Sequence, residues 1–320
     1  MGDPSGIGPE VTLKALARGG FSKRANFLVI GDASVLDSVG RKLKLDLEIP
    51  VLDLANAPAG KLSYGVSRPS YGKASIEYID AALGILKRGM ADALVTGPIN
   101  KASVSSAGVR DFKGHTEYLA ERTGTRYYAM MLMGANLRVT LVTRHIALKD
   151  VPRSISVASI LSTIRITDAY LKRYFGIRNP KICVAGLNPH AGDEGLFGDE
   201  EKRLVTPAIK AAAAEGIGAV GPVAPDAIFY AALAGKYDAV VALYHDQGLI
   251  PFKMLYFRTG VNITLGLPFV RTSPDHGTAF DIAGKFTADP SSMIEAIGLA
   301  CRLSSRTRRS GLIKCSLKAS

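Results

Sequence analysis

Short apolar runs that end at glycine or proline alternate with amphipathic stretches along this 320-residue chain. Such runs predict the buried strands of a largely parallel sheet, here at residues 26–31, 91–95, 181–186 and 238–244. Apolar side chains at helical spacing lie between them, in residues 9–18, 75–90, 155–175 and 200–215. Strands that alternate with helices in this way predict an α/β fold.

Two local features modify this pattern. Residues 128–134 and 137–145 are apolar and flank Ala135 and Asn136, so they predict an antiparallel hairpin, which indicates a second domain or a dimer interface. A G-x-G-x-x-G match at residues 216–221 follows a predicted helix instead of a strand and runs into a proline. We therefore interpret it as the end of a helix and a loop, not as a dinucleotide-binding turn.

The net charge of +12 comes from 40 Lys and Arg against 28 Asp and Glu, and five of the positive charges lie in residues 304–320. That segment contains no acid and predicts a solvated tail. The chain has no tryptophan, no zinc-finger spacing and no RNA-binding aromatic motif, which disfavours nucleic-acid binding. No apolar run reaches the roughly 18 residues that a membrane helix needs, and the first residues do not resemble a signal peptide. With three scattered cysteines, these features predict a cytoplasmic protein without membrane partners.

Three of the five histidines, His145, His190 and His245, directly follow predicted strands. The carboxyl ends of parallel strands form the ligand crevice of an α/β sheet. Three imidazoles that meet there would make a metal site with an open coordination position for substrate. Their separations of 45 and 55 residues match no local metal motif, so the fold has to bring them together. The simpler alternative for each is a structural hydrogen-bonding residue.

Two cations and an amide, Lys253, Asn262 and Arg271, follow the last of these histidines. Arginine binds phosphate or carboxylate oxygens through two parallel hydrogen bonds, and lysine acts as a point charge. This set predicts an anionic substrate, and the simpler alternative for both cations is an exposed ion pair.

Seven stretches resemble the 4-hydroxythreonine-4-phosphate dehydrogenase family, also called PdxA, in sequence and in order: MGDPSGIGPE, VTGPINK, GHTEYLA, LVTRH, LNPHAGDEG, YHDQGLIPFK and GLPFVRTSPDHGTAFDIAGK. The resemblance covers residues 1 to about 303. It implies an isocitrate/isopropylmalate dehydrogenase-like fold, with two α/β domains, a cleft between them and a homodimeric assembly. We expect a cofactor-side domain of residues 1–103 and 254–303, a metal and dimerisation domain of 104–253, and an atypical basic tail of 304–320.

The resemblance also assigns roles. It implies that His145, His190 and His245 bind a divalent metal shared between subunits, and that His115, Thr116, Lys253, Asn262 and Arg271 contact substrate. Candidates for contact with NAD or NADP follow in one stretch: His276, Gly277, Thr278, Ala279 and Asp281. Asp226 and Lys253 are the candidate catalytic groups. The metal stays open among zinc, magnesium, cobalt and manganese.

The implied reaction is the NAD(P)-dependent oxidation of 4-phosphooxy-L-threonine to a β-keto acid that decarboxylates to 3-amino-2-oxopropyl phosphate, in pyridoxal 5′-phosphate biosynthesis. An alternative within the same chemistry is 4-phospho-D-threonate or 4-phospho-D-erythronate dehydrogenase. A remote alternative of another class is a basic nucleic-acid-binding or scaffold protein. Family members usually carry a first strand ahead of the MGDP stretch, and we expect either an alternative start of this chain or, if the strand is absent, an empty position in the central sheet.

Overall fold

A computed structural model describes residues 1–21, 25–46, 48–57 and 62–309. The chain forms two compact units, unit 1 of Met1–Arg122 with Phe269–Ser320 and unit 2 of Thr123–Pro268. The boundaries lie further along the chain than the expected 103/104 and 253/254. Two contacts explain the difference, because Tyr118 bonds to Asp80 within unit 1 and residues 261–265 pair with residues 129–133 within unit 2.

The described helices are α1 Gly8–Arg18, α2 Ala33–Leu43, α3 Pro69–Lys87, α4 Lys101–Ser106, α5 His115–Arg122, α6 Val151–Ser154, α7 Val157–Tyr170, α8 Thr206–Ala214, α9 Pro225–Leu233, α10 His245–Tyr256 and α11 Ser291–Arg309. The described strands are β1 Val29–Gly31, β2 Val51–Asp53, β3 Ala93–Val95, β4 Ala129–Gly134, β5 Leu137–Leu141, β6 Ile182–Ala185, β7 Ala219–Val223, β8 Ala239–Ala242, β9 Val261–Leu265 and β10 Val270–Pro274. The alternation of strands with helices confirms the predicted α/β class.

Unit 2 contains a sheet with the strand order β9-β4-β5-β8-β6-β7. Strands β4 and β5 form the predicted antiparallel hairpin, with Ala135 in the left-handed region at its turn, and β5, β8, β6 and β7 run parallel. Side chains alternate across β6, so that Ile182 packs with α7 and α8 while Cys183 packs with α9 and α10. Both faces of the sheet are therefore buried, as its short apolar strands predict.

Unit 1 pairs β1 with β2 and β3 with β10, each in parallel. Among the described residues no strand lies between β1 and β3, and the two belong to separate sheets. A cavity of about 470 Å³ is lined by residues of β1, β3, α3 and α11, with Ile30, Leu94, Ile79 and Ile297 among them.

Two expectations differ from the structure. The basic segment from 304 onward starts as helix, because α11 continues to Arg309, and residues 310–320 with Lys314 and Lys318 lie outside the described residues. Residues 216–221 are not only a loop: Gly216 has φ +74° after α8, and β7 then pairs with β6. Pairing in the sheet overrides the turn preference of the Gly-Pro pair in β7. In the portion of the chain that the structure covers, no helix has the length and apolar character to cross a membrane.

Candidate active site

Two of the three candidate metal ligands, His145 and His245, lie together in unit 2. His145 comes four residues after β5, and His245 three residues after β8. Because β5 and β8 are neighbouring parallel strands, the segments after them lie at the same edge of the sheet. The two imidazole rings are 5.5 Å apart, centroid to centroid. The fold thus juxtaposes two imidazoles that are 100 residues apart in sequence.

The His245 ring is oriented by its neighbour in sequence. Its Nδ1 atom lies 2.6 Å from Oδ1 of Asp246, at the start of α10. Imidazoles that ligate metals commonly bond to a carboxylate through the other ring nitrogen, which fixes the ring and raises its basicity. Nε2 is then the ring nitrogen of His245 that could bind a metal ion.

The third histidine, His190, lies in the turn Pro189–Gly195 after β6, and its ring is 6.4 Å from that of Phe197. Across the described ranges of a single chain, no three His, Cys, Asp or Glu side chains come close enough to hold a metal ion. His190 therefore does not complete a set with His145 and His245 within one chain. Within the described residues of one chain, His145 and His245 could supply two ligands to a metal ion.

Unit 1 contains a buried cation, Arg271 on β10, together with Thr96 and His115, which line the cavity of this unit. The side chain is 2% exposed, and its Nη2 atom donates a hydrogen bond of 2.6 Å to Oγ1 of Thr96, which directly follows β3. Burial lowers the pKa of Arg271 from 12.5 to about 10, although Glu117 acts in the opposite direction. The guanidinium remains charged at neutral pH, and its burial shows that the alternative of an exposed ion pair is wrong for Arg271.

His115, the first residue of α5, adds a neutral group to this set. Burial, and then the charge of Arg271, lower the pKa of His115 well below 6.5. Its Nε2 atom is buried and has no hydrogen-bond partner, and the neighbouring Thr116 is also buried. A buried imidazole with an unused nitrogen beside a guanidinium suits a phosphorylated acid, since it bonds to oxygen without adding charge.

The remaining substrate candidates lie in unit 2. Lys253 is on α10, with Nζ 5.3 Å from the ring centre of Phe257. Asn262 is on β9, and its Oδ1 atom is buried without a hydrogen-bond partner. Asp226 is exposed in the first turn of α9. Of these three, the unpaired amide oxygen of Asn262 is the feature most typical of a ligand contact.

The candidate cofactor residues follow β10 in one loop of unit 1. The carbonyl of Thr278 accepts a 3.0 Å hydrogen bond from the amide of Ile7, and a Cβ atom at Gly6 would meet the Thr278 side chain at 3.0 Å. Asp281 is exposed, and Nδ1 of His276 lies 3.0 Å from the carbonyl of Gly277. The loop is thus held against the glycine-rich start of the chain.

Asp3 is a notable residue of unit 1 that the sequence analysis did not single out. Its side chain is 0% exposed, and its Oδ1 atom accepts a 2.9 Å hydrogen bond from the amide of Ser5. Burial raises the pKa of Asp3 from 3.8 to about 6, although hydrogen bonds from Ser5 and Asn100 oppose the shift. In the sequence, this residue could have been found as the acidic side chain between Gly2 and Pro4 in the MGDP stretch.

Comparison with known proteins gives a consistent result. Residues 23–300 match the family described as pyridoxal phosphate biosynthetic protein PdxA. The 4-hydroxythreonine-4-phosphate dehydrogenase of Desulfosudis oleivorans is 48% identical over 319 residues, covering 94% of this chain and 93% of the relative. The D-threonate 4-phosphate dehydrogenase of Salmonella typhimurium is 44% identical over 320 residues, covering 95% and 97%.

A solved structure supports the same assignment. The crystal structure of 4-hydroxythreonine-4-phosphate dehydrogenase from Klebsiella pneumoniae is similar with a TM-score of 0.87 at 41% identity, covering 95% of this chain and 96% of that one. The α/β fold of this chain is that of the solved 4-hydroxythreonine-4-phosphate dehydrogenase. On the match of its sequence and fold, this chain belongs to the PdxA family.

Proposed function

We propose that the protein is an NAD(P)-dependent dehydrogenase that oxidises 4-phosphooxy-L-threonine to a β-keto acid, which then loses carbon dioxide to give 3-amino-2-oxopropyl phosphate. The single observation that carries this is the buried set of Arg271, His115 and Thr96, in a chain whose relatives are named for phosphorylated substrates. Because the matching family is described as a pyridoxal phosphate biosynthetic protein, we expect the reaction to serve pyridoxal 5′-phosphate biosynthesis, in the cytoplasm.

The protein side chains bind and orient the substrate. Arg271 presents a rigid guanidinium whose position is fixed by Thr96, so it binds the phosphate or the carboxylate at low entropic cost. His115 is neutral at pH 7 and bonds to a substrate oxygen through Nε2. Lys253 and Asn262 provide further contacts, and Asp226 or Lys253 transfers the proton.

The proposed metal site lies in unit 2. His145 and His245 supply two imidazoles, and His190 of a second copy supplies the third, which accounts for the incomplete set in one chain. Three neutral imidazoles suit zinc, and cobalt, manganese and magnesium are the other candidates. When bound, the divalent ion and NAD(P) supply charge stabilisation at the oxidised carbon's oxygen and acceptance of the hydride.

An exposed apolar stripe along α10 also supports a homodimer. Ile250, Met254 and Phe257 follow each other at spacings of four and three residues along α10 and its end, and they are 59%, 83% and 73% exposed. Residues at such spacings share one face of a helix, and a contiguous exposed apolar stripe is typical of a protein interface. We propose that this stripe packs against a second copy.

A second candidate substrate is 4-phospho-D-threonate, because the Salmonella typhimurium relative is named for it. It carries a hydroxyl where 4-phosphooxy-L-threonine carries an amino group, on the carbon next to the carboxylate.

The test is to incubate the purified protein with NAD or NADP, each candidate metal, and 4-phosphooxy-L-threonine, 4-phospho-D-threonate or 4-phospho-D-erythronate. We expect reduced cofactor with 4-phosphooxy-L-threonine at the highest kcat/KM, and loss of the activity on chelation with recovery on re-addition of metal. A higher kcat/KM with 4-phospho-D-threonate would establish the second candidate. No cofactor reduction with any of the three would contradict the dehydrogenase function.

A further inference from the structure

The backbone that carries His190 adopts an uncommon conformation. Residues 190–194 have φ values of 53°, 56°, 84°, 42° and 58°, so a full turn is left-handed. Gly192 is the only glycine among the five, and side chains other than glycine rarely occupy this region. A run of such residues persists only where surrounding contacts determine it, and such strain is concentrated at functional sites.

Backbone hydrogen bonds join the turn to the residues on either side of it. The amide of Ala191 donates to the carbonyl of Asn188 at 3.1 Å, and the amide of Phe197 donates to the carbonyl of Gly192 at 3.1 Å. His190 itself is exposed. A side chain from outside the turn also contacts it, because Nζ of Lys202 donates to the carbonyl of Glu194.

A buried carboxylate, Glu201, holds the residues that lead into the turn. It is 3% exposed, and its Oε1 atom accepts hydrogen bonds of 2.7 Å from the amides of both Leu187 and Asn188, the two residues that lead into the turn. Its Oε2 atom accepts a 3.0 Å hydrogen bond from Nδ2 of Asn188. A carboxylate with three donors is a strong and directional anchor.

The same carboxylate also contacts the middle of the turn. A Cβ atom at Gly192 would lie 2.7 Å from Oε2 of Glu201, so only glycine fits there. On the other side, Gly186 packs closely, since a Cβ atom there would lie 2.7 Å from Cα of Ala191. Glu201 itself begins a single π-helical turn, Glu201–Val205, before α8, and such turns recur at functional sites.

We propose that Glu201 is a positioning residue for His190: its carboxylate holds the left-handed turn and so presents the imidazole for metal binding. This rests on the proposed function, in which His190 is a metal ligand. Glu201 does not touch the substrate or the metal. It acts on the metal site through the backbone of Leu187 and Asn188.

The experiment compares Glu201→Ala and Glu201→Gln with Glu200→Gln in the full-length protein. Glu200 is the matched control, because it accepts from Nδ2 of Asn188 at 2.8 Å and makes no recorded bond to the backbone of the turn. The readouts are Co²⁺ affinity by calorimetry, the visible spectrum of bound Co²⁺, and hydrogen exchange of the Leu187 and Asn188 amides. If Glu201→Ala does not fold, Glu201→Gln carries the test.

We expect Glu201→Ala to weaken Co²⁺ binding by about 10- to 100-fold, which is typical of lost supporting contacts to a ligand, and to speed exchange at both amides. Glu201→Gln keeps the Oε1 acceptor and should fall between Ala and the wild type. Glu200→Gln should stay within about twofold of the wild type, below the loss typical for a supporting residue.

A parallel His190→Ala variant separates the two proposals. If His190→Ala weakens Co²⁺ binding and neither Glu201 variant does, the role of Glu201 is overturned and the metal site stands. If His190→Ala binds Co²⁺ as the wild type does, His190 is not a ligand, and both the metal assignment and the role of Glu201 are overturned.

Discussion

At the scale of single residues, burial distinguishes Arg271 from an ordinary surface ion pair. The sequence analysis identified it as an anion-binding candidate, and an exposed ion pair was the simpler alternative. Residue type and spacing do not reveal that β3 and β10 are neighbours, and that pairing places Thr96 against the guanidinium. The identity of the group was therefore predictable, whereas its supporting contact required the fold.

Arg271→Lys tests this residue. Lysine keeps the positive charge but loses the planar pair of donors and the bond to Thr96. We expect KM for the phosphorylated substrate to rise about 10- to 100-fold, which corresponds to a lost charged hydrogen bond of about 1.5–3 kcal/mol, with kcat changed less. Steady-state kinetics measure it, with the exposed Arg302→Lys as control. Equal KM values for Arg271→Lys and the wild type would exclude this role.

Asp3 leads to a prediction about pH. Its pKa is higher in the folded protein, at about 6, than the ordinary 3.8. The folded state therefore holds the proton more tightly, and this group's contribution to stability falls as pH rises from about 4 to about 6. Asp3→Asn keeps the acceptor for the Ser5 amide and removes the buried charge.

We expect Asp3→Asn to raise the free energy of unfolding at pH 7 by about 1–3 kcal/mol and to change it little at pH 4, by the conversion of about 1.4 kcal/mol per pKa unit. Urea unfolding at the two pH values measures the difference. A gain of the same size at both pH values would show that the charge of Asp3 is not responsible.

At the scale of helices and strands, local sequence patterns predicted whether a segment forms a helix or a strand better than they predicted which strands pair. The short Ala135-Asn136 connection correctly predicted the hairpin of β4 and β5, because the turn fixes the pairing. Strand β7 was missed, since its Gly-Pro pair favours a turn and only pairing with β6 makes it a strand. Likewise, the three histidines follow β5, β6 and β8, which are neighbours in the sheet. Yet within the described residues the rings of His145 and His245 lie 5.5 Å apart, and no three ligating side chains come together.

The apolar stripe of α10 makes a prediction at this scale. Met254→Glu combined with Phe257→Glu places two charges on the stripe, at positions that are 83% and 73% exposed in one chain. Buried in an interface, unpaired charges oppose association, so we expect a shift from dimer to monomer in sedimentation velocity and weaker metal binding. Met90→Glu is the control, because Met90 is 71% exposed in unit 1. A dimer that persists in the double variant would place the interface elsewhere.

At the scale of the whole molecule, the division into two units was predictable from the resemblance, but the boundaries depended on pairing that only the fold reveals. The cavity of about 470 Å³ in unit 1 is a second consequence of topology. It has β1 and β3 among its walls, and both are strands with apolar side chains.

Filling this cavity should stabilise unit 1. We expect a five-residue Val- and Ile-rich segment fused ahead of Met1 to add a strand and raise the free energy of unfolding by about 2 kcal/mol, or Tm by about 6 °C. A Gly- and Ser-rich segment of the same length is the control, since it buries no apolar side chains. Equal Tm values for the two fusions in differential scanning calorimetry would show that the cavity does not accept a strand.

The central claim is a metal-dependent dehydrogenase site completed by a second subunit, and mixed dimers test it most directly. His190→Ala and His245→Ala chains, carrying different tags, are co-expressed and the heterodimer is purified through both tags. If His145 and His245 of one chain act with His190 of the other, the heterodimer contains one intact site and should regain about half of the activity of a doubly tagged wild-type dimer, while both parents stay inactive. A heterodimer as inactive as its parents, beside an active doubly tagged wild type, would contradict the shared site.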